Sequence, residues 1–245
     1  MRRLASHPNP RLRRLRPGGG VPPPSLWYRA CRRAAQVGSA LLWKIRVLNR
    51  HYEPTDGGAL YICNHQSFLD PVVMALALRR PMNYMGRASL FRFHLLRPLM
   101  ESLNAFPIRR GGSDLRAMKE AMRRLKAGAQ LVVFPEGTRT EDGRIQPFLP
   151  GVALLAQRAA DWIVPVVIDG AFEAWPRTSL LFGTGVIVVQ YAPPIPQTDA
   201  RTRQPHELLG EIRRRMIEMQ TDLRRRIGRR PLVYDDVTAQ PCAGR

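Results

Sequence analysis

The chain has 245 residues, 44% of them hydrophobic, which is enough to bury a substantial core and points to one domain with terminal extensions. Its net charge of +20 is carried almost wholly by arginine, because Lys44, Lys119 and Lys126 are the only lysines, and such a charge draws a protein to nucleic acid or to the anionic face of a membrane. Cys31, Cys63 and Cys242 lack the close pairing of a zinc knuckle or redox motif, and no window reaches the roughly 18 apolar residues of a spanning helix, so a reduced compartment and peripheral membrane contact are expected.

Residues 1–24 hold six arginines, no acidic residue, Gly18-Gly19-Gly20 and Pro22-Pro23-Pro24, a composition predicted to form a disordered basic leader. The arginines have no apolar run behind them, so no secretory or twin-arginine signal is predicted. Over 25–49, Trp27, Ala30, Ala34, Val37, Leu41, Ile45 and Leu48 recur at three and four, which predicts an amphipathic basic helix. Two roles fit it, docking on its own core and lying in a membrane interface, and they are compatible.

The folded domain is predicted over 50–229. Strands are expected at 59–63, 82–85, 105–108, 130–134, 163–168 and 185–191. Helices are expected from Asp70-Pro71, over 88–103, through Leu115, Met118, Met122 and Leu125 between Ser113 and Gly128, from Gly151, and along Leu208 to Ile227. This alternation predicts an α/β domain, a largely buried mixed sheet flanked by helices. Residues 230–245 are expected to form a loose tail.

Chemistry in such sheets collects in loops beyond the carboxyl ends of strands. Two polar loops stand there, Asn64-His65-Gln66-Ser67-Phe68-Leu69-Asp70 and Phe134-Pro135-Glu136-Gly137-Thr138-Arg139-Thr140. Asp70 lies five residues after His65, so the loop can fold back and let the carboxylate fix the imidazole tautomer. The other ring nitrogen is then free to take a proton from a substrate alcohol. Spacing alone leaves a second reading open, in which Asp70 only caps its helix and His65 is a structural loop residue. In the second loop Gly137 allows close backbone approach, Arg139 suits bidentate phosphate binding, and Glu136 could order that arginine or hold a substrate hydroxyl. Arg109-Arg110 forms a further basic group after the strand at 105–108.

Together these segments resemble the glycerolipid acyltransferase family, which acylates lysophosphatidic acid and related acceptors. His65 and Asp70 fit its NHxxxxD block, Ala105 to Arg110 its second block, Phe134 to Arg139 its FPEGTR block, and Val164-Pro165-Val166 its short proline block, in order, across roughly 40–195. The resemblance implies His65 as general base, Asp70 as its orienting partner, and Arg110, Glu136, Gly137, Thr138 and Arg139 as residues that bind the phosphate-bearing acceptor. It implies an acyl-CoA or acyl-ACP donor, a lysophospholipid acceptor, an anionic membrane surface on the cytoplasmic face of the cell membrane, no metal or other cofactor, and no nucleic acid. Lysophosphatidic acid is the expected acceptor, with another lysolipid, a lyso-aminolipid or glycerol-3-phosphate as alternatives. A non-catalytic basic lipid- or nucleic-acid-binding protein is the reading from a different class. Asn104 stands where the second block usually has glycine, and Phe148-Leu149-Pro150-Gly151 lacks a lysine often found there.

Overall fold

A computed structural model describes residues 25–92, 94, 96–108, 114–179 and 181–234. The basic leader, Arg109-Arg110 and the last eleven residues, 235–245, lie outside the described residues. Elements run α1 (Leu26–Leu42), β1 (Trp43–Leu48), β2 (Ala59–Cys63), α2 (Asp70–Ala77), β3 (Met82–Arg87), α3 (Leu96–Ser102), β4 (Ala105–Ile108) and α4 (Leu115–Lys126). They continue with β5 (Gln130–Val133), α5 (Gly151–Arg158), β6 (Trp162–Asp169), α6 (Ala171–Ala174), β7 (Gly185–Tyr191), β8 (Ile195–Pro196), α7 (Gln197–Arg201) and α8 (Pro205–Arg226).

The strands form one 8-stranded mixed sheet in the order β1-β7-β6-β2-β5-β3-β4, with β8 on β6. β6, β2, β5, β3 and β4 run parallel, and β7 is antiparallel to β6. β2, β5 and β6 are buried along their whole length, which is why their sequences read as continuous apolar runs rather than alternations. One face packs Leu125 of α4, Leu155 of α5 and Leu208, Ile212, Met216 and Leu223 of α8. The other packs Val73, Met74 and Ala77 of α2 with Trp43, Ile45 and Val47 of β1 and Trp175.

Three expectations need correction. The helix predicted over 25–49 ends at Leu42, and residues 43–48 are an edge strand parallel to β7. Trp43, Ile45 and Val47 face the core while Lys44, Arg46 and Leu48 are exposed, a period of two that coincided with the helical spacing at Ile45 and Leu48. The helix predicted over 88–103 is divided into a 3-10 turn, Ala88–Arg92, and α3. Pro98 is tolerated in the first turn of α3, where no helical partner is required of its nitrogen, but not deep inside one long helix. The tail predicted loose from 230 is packed at its start: Arg230 carbonyl accepts from Arg224 Nε at 2.8 Å, and Tyr234 is 6% exposed, with its hydroxyl donating to Gln220 and accepting from Ile145 N.

α1 opens on Ser25, whose hydroxyl accepts from Tyr28 N. Its inner face docks on the domain: Tyr28 is buried, and the Arg32 guanidinium donates to the carbonyls of Leu78 and Arg79 at the end of α2. Its outer face leaves Leu26, Trp27, Val37 and Leu41 exposed. Among the described residues no helix is long and apolar enough to cross a membrane.

Candidate active site

The two polar loops leave the carboxyl ends of β2 and β5, which are adjacent strands near the middle of the sheet. Asp70 is fully buried, and its Oδ2 accepts from Gln66 N at 2.6 Å and Ser67 N at 2.7 Å while lying 2.7 Å from His65 Nδ1. The carboxylate therefore turns back into the loop rather than serving only the first turn of α2. With Asp70 ionised, Nδ1 carries the proton and Nε2 is the basic nitrogen. The imidazole side chain is 14% exposed and stacks on Phe134 with centroids 4.2 Å apart, which leaves one edge for a substrate.

Glu136 sits behind the histidine. Its Oε1 accepts from His65 N at 2.8 Å and its Oε2 from Gln146 N at 3.1 Å, and Thr140 N in turn donates to His65 carbonyl at 2.8 Å. The two loops are thus laced through the backbone of His65 itself. Burial pushes the Glu136 carboxyl up to about 8, against the pull of the His65 and Gln146 N–H groups and of Arg213. The folded chain therefore holds a proton that the unfolded chain releases near 4.5, so stability should fall as pH rises from about 5 to about 8. Urea unfolding across that range should show this slope flattened in Glu136→Gln. That variant should also be less stable near the acid end, because one amide oxygen cannot accept both N–H groups.

Gly137 has φ +70, and a Cβ there would lie 2.8 Å from Leu149 Cδ1. Gly137→Ala should cost about 1–2 kcal/mol of unfolding free energy in a urea titration, and should displace the neighbouring Arg139. The Arg139 guanidinium lies over the Phe68 ring, 3.4 Å from its centroid, so it bridges the two loops. Thr138 is exposed on the rim of a cleft of about 510 Å³, lined by Thr138, Arg139, Thr140, Arg144, Gln146 and Arg213 among others. His65 does not line this cleft, which is bounded instead by the loop after β5.

The structure thus brings together His65, Asp70, Glu136, Gly137, Thr138 and Arg139; Arg110 lies outside the described residues. The expectation for Glu136 changes in detail, since both of its oxygens are engaged by backbone N–H groups. Asn104 has φ +66, the left-handed conformation that glycine adopts freely and asparagine tolerates, so this departure keeps the backbone of the second block.

The chain is 32% identical over 127 residues to a chloroplastic 1-acyl-sn-glycerol-3-phosphate acyltransferase of Arabidopsis thaliana, an alignment covering 51% of this chain and 35% of that one. It is 33% identical over 171 residues to a 1-acyl-sn-glycerol-3-phosphate acyltransferase of Limnanthes douglasii, covering 66% and 60%, and 26% identical over 173 residues to one of Bacillus subtilis, covering 70% and 84%. The chain thus spans between 35% and 60% of the length of these plant relatives. The crystal structure of a 1-acyl-sn-glycerophosphate acyltransferase from Thermotoga maritima shares the fold, with a TM-score of 0.65 at 20% identity over 79% of this chain and 80% of that one. The acyltransferase family model matches residues 44–169, from β1 to the end of β6 and through both polar loops, and the chain belongs to the acyltransferase family.

Proposed function

We infer that this acyltransferase moves a fatty acyl group from an acyl-CoA or acyl-ACP thioester to the free hydroxyl of 1-acylglycerol-3-phosphate, giving phosphatidic acid. The observation that carries the reading is the buried Asp70 carboxylate 2.7 Å from His65 Nδ1, which leaves Nε2 as the ring nitrogen turned away from the carboxylate. His65 Nε2 takes the acceptor's hydroxyl proton as the oxygen attacks the thioester carbonyl. The tetrahedral intermediate collapses with loss of the thiolate, and the imidazolium returns the proton to the sulfur. Every step uses a substrate alcohol where a hydrolase would use its own serine, so no covalent enzyme intermediate forms.

Arg139 is the cation for the acceptor phosphate, with Arg110 as its partner from the second block and the Gly137 and Thr138 backbone alongside. Glu136 acts through His65 and Gln146, holding the base against the sheet. Enzyme and substrate meet at the cytoplasmic face of the cell membrane, with α1 lying in the interface. The reading is supported by relatives named for this acceptor and by the chemistry of the two loops.

The test is purified protein with palmitoyl-CoA and lysophosphatidic acid, glycerol-3-phosphate and neutral lysolipids in parallel, following free thiol and acylated product together. Thiol and phosphatidic acid appearing in step, and only with lysophosphatidic acid, is the expected result. Equal turnover of an acceptor without phosphate would overturn the role given to Arg139.

A further inference from the structure

Among the described residues, Leu26, Trp27, Val37 and Leu41 of α1, Val72 of α2, and Phe68, Leu181 and Phe182 make up eight of the fourteen exposed large apolar residues, and Phe68 and Phe182 touch aromatic rings packed on the α2 side of the sheet. Both extend a line of aromatic rings that starts where α1 ends. Trp43 contacts Phe182, Phe182 contacts Trp175, and Trp175 contacts Phe68, each pair with centroids 5.6 Å apart. Phe68 in turn carries the Arg139 guanidinium. A line of rings, exposed at Phe68 and Phe182 and half-buried at Trp43 and Trp175, thus runs from the foot of α1 to the mouth of the His65 site.

We propose that this strip extends a membrane-docking surface beyond α1, and that its occupant is the interface of an anionic bilayer. Three observations favour a bilayer. First, the two indoles are already satisfied inside the protein: Trp43 Nε1 donates to Gly183 carbonyl at 2.7 Å and Trp175 Nε1 to Ser179 carbonyl at 3.0 Å. The rings can therefore enter a low-dielectric layer without stranding a donor. Second, the strip continues the exposed apolar face of α1, because Val37 and Leu41 lead directly into Trp43. Third, the sequence up to Glu53 holds no acidic residue, and the exposed Arg29 and Arg33 of α1 lie within about a turn of Leu26 and Val37. That sign of charge complements anionic headgroups.

Docking by α1 alone leaves the domain free to pivot about one helix. Docking by α1 and the strip together fixes the orientation, with Phe68 and Arg139 at headgroup level, where a lysolipid phosphate sits. The proposal rests on the reading of His65 and Arg139 given above, so its test is arranged to be independent of turnover.

Binding is measured on His65→Ala protein with mixed phosphatidylcholine and phosphatidylglycerol vesicles. Leu181, 81% exposed, and Phe182, 48% exposed, lie outside the catalytic machinery. Leu181→Ser with Phe182→Ser should weaken partitioning by about tenfold, and Leu181→Ser alone should have a smaller effect in the same direction. In a Trp27→Phe background, brominated lipids should quench Trp43 and Trp175, since Trp162 is buried. In enzyme with His65 intact, the double variant should lose turnover on vesicle-embedded acceptor and keep it on a short-chain acceptor dissolved as monomer. Unchanged partitioning and no quenching would overturn the proposal. Unchanged partitioning with weakened binding of acidic acyl carrier protein would overturn it too, and would make the strip a carrier surface instead.

Discussion

His65→Ala is expected to lower kcat by about 10²- to 10⁴-fold and to leave the melting temperature nearly unchanged. The separation of the two effects follows from which atoms of His65 do what. Its backbone N–H and carbonyl tie the loops to Glu136 and Thr140, and alanine keeps both. The imidazole contributes only the Asp70 contact and the stack on Phe134, and after its loss Asp70 Oδ2 still accepts from Gln66 N and Ser67 N. Acceptor KM should change little, because the phosphate is assigned to arginines of other segments. Thiol release, product mass and a thermal melt on the same preparation check the prediction. A variant that keeps a tenth of the activity or more would remove His65 from the role of base.

Much of this site was legible because its key contact is local. Five residues separate His65 from Asp70, and Pro71 marks where the helix starts, so the fold-back of the loop could be read before any coordinates. The strands 59–63, 105–108 and 185–191 were equally plain, being short apolar or β-branched runs bounded by turns. What could not be read depends on pairing between distant segments. Nothing in the sequence says that β5 lies beside β2, so the grip of Glu136 on His65 N, across 71 residues, had no local signal. The same holds for β1, whose partner β7 follows more than a hundred residues later, and for Tyr234, which closes over Gln220 and Ile145 after the last helical stripe has ended. Asn104 is the converse case. Its position in the second block looked like a departure in chemistry, and its positive φ makes it a conservative choice of backbone.

Asp70→Asn should be nearly as damaging as loss of the histidine, for a different reason. Asparagine can present its carbonyl oxygen to Gln66 N and Ser67 N, so the loop and the start of α2 should survive. The same oxygen position meets His65 Nδ1, so the carbonyl keeps all three contacts, the amide group takes the place of Oδ1, and what is lost is the negative charge beside the ring. The imidazole would keep its orientation in an intact site, but the imidazolium formed as Nε2 takes the substrate proton would have no carboxylate to stabilise it. By the arithmetic of other histidine–aspartate pairs, kcat should fall about 10³- to 10⁴-fold with little change in acceptor KM. Imidazole ¹⁵N shifts of His65 should show Nδ1 still carrying its proton, which separates loss of the charge from loosening of the loop. Asp70→Ala is the less informative change, because it strands two buried N–H groups and is expected to destabilise the loop by about 1–3 kcal/mol for each of them. A folded Asp70→Asn enzyme with near-normal kcat would reduce Asp70 to a loop anchor whose charge the base does not need.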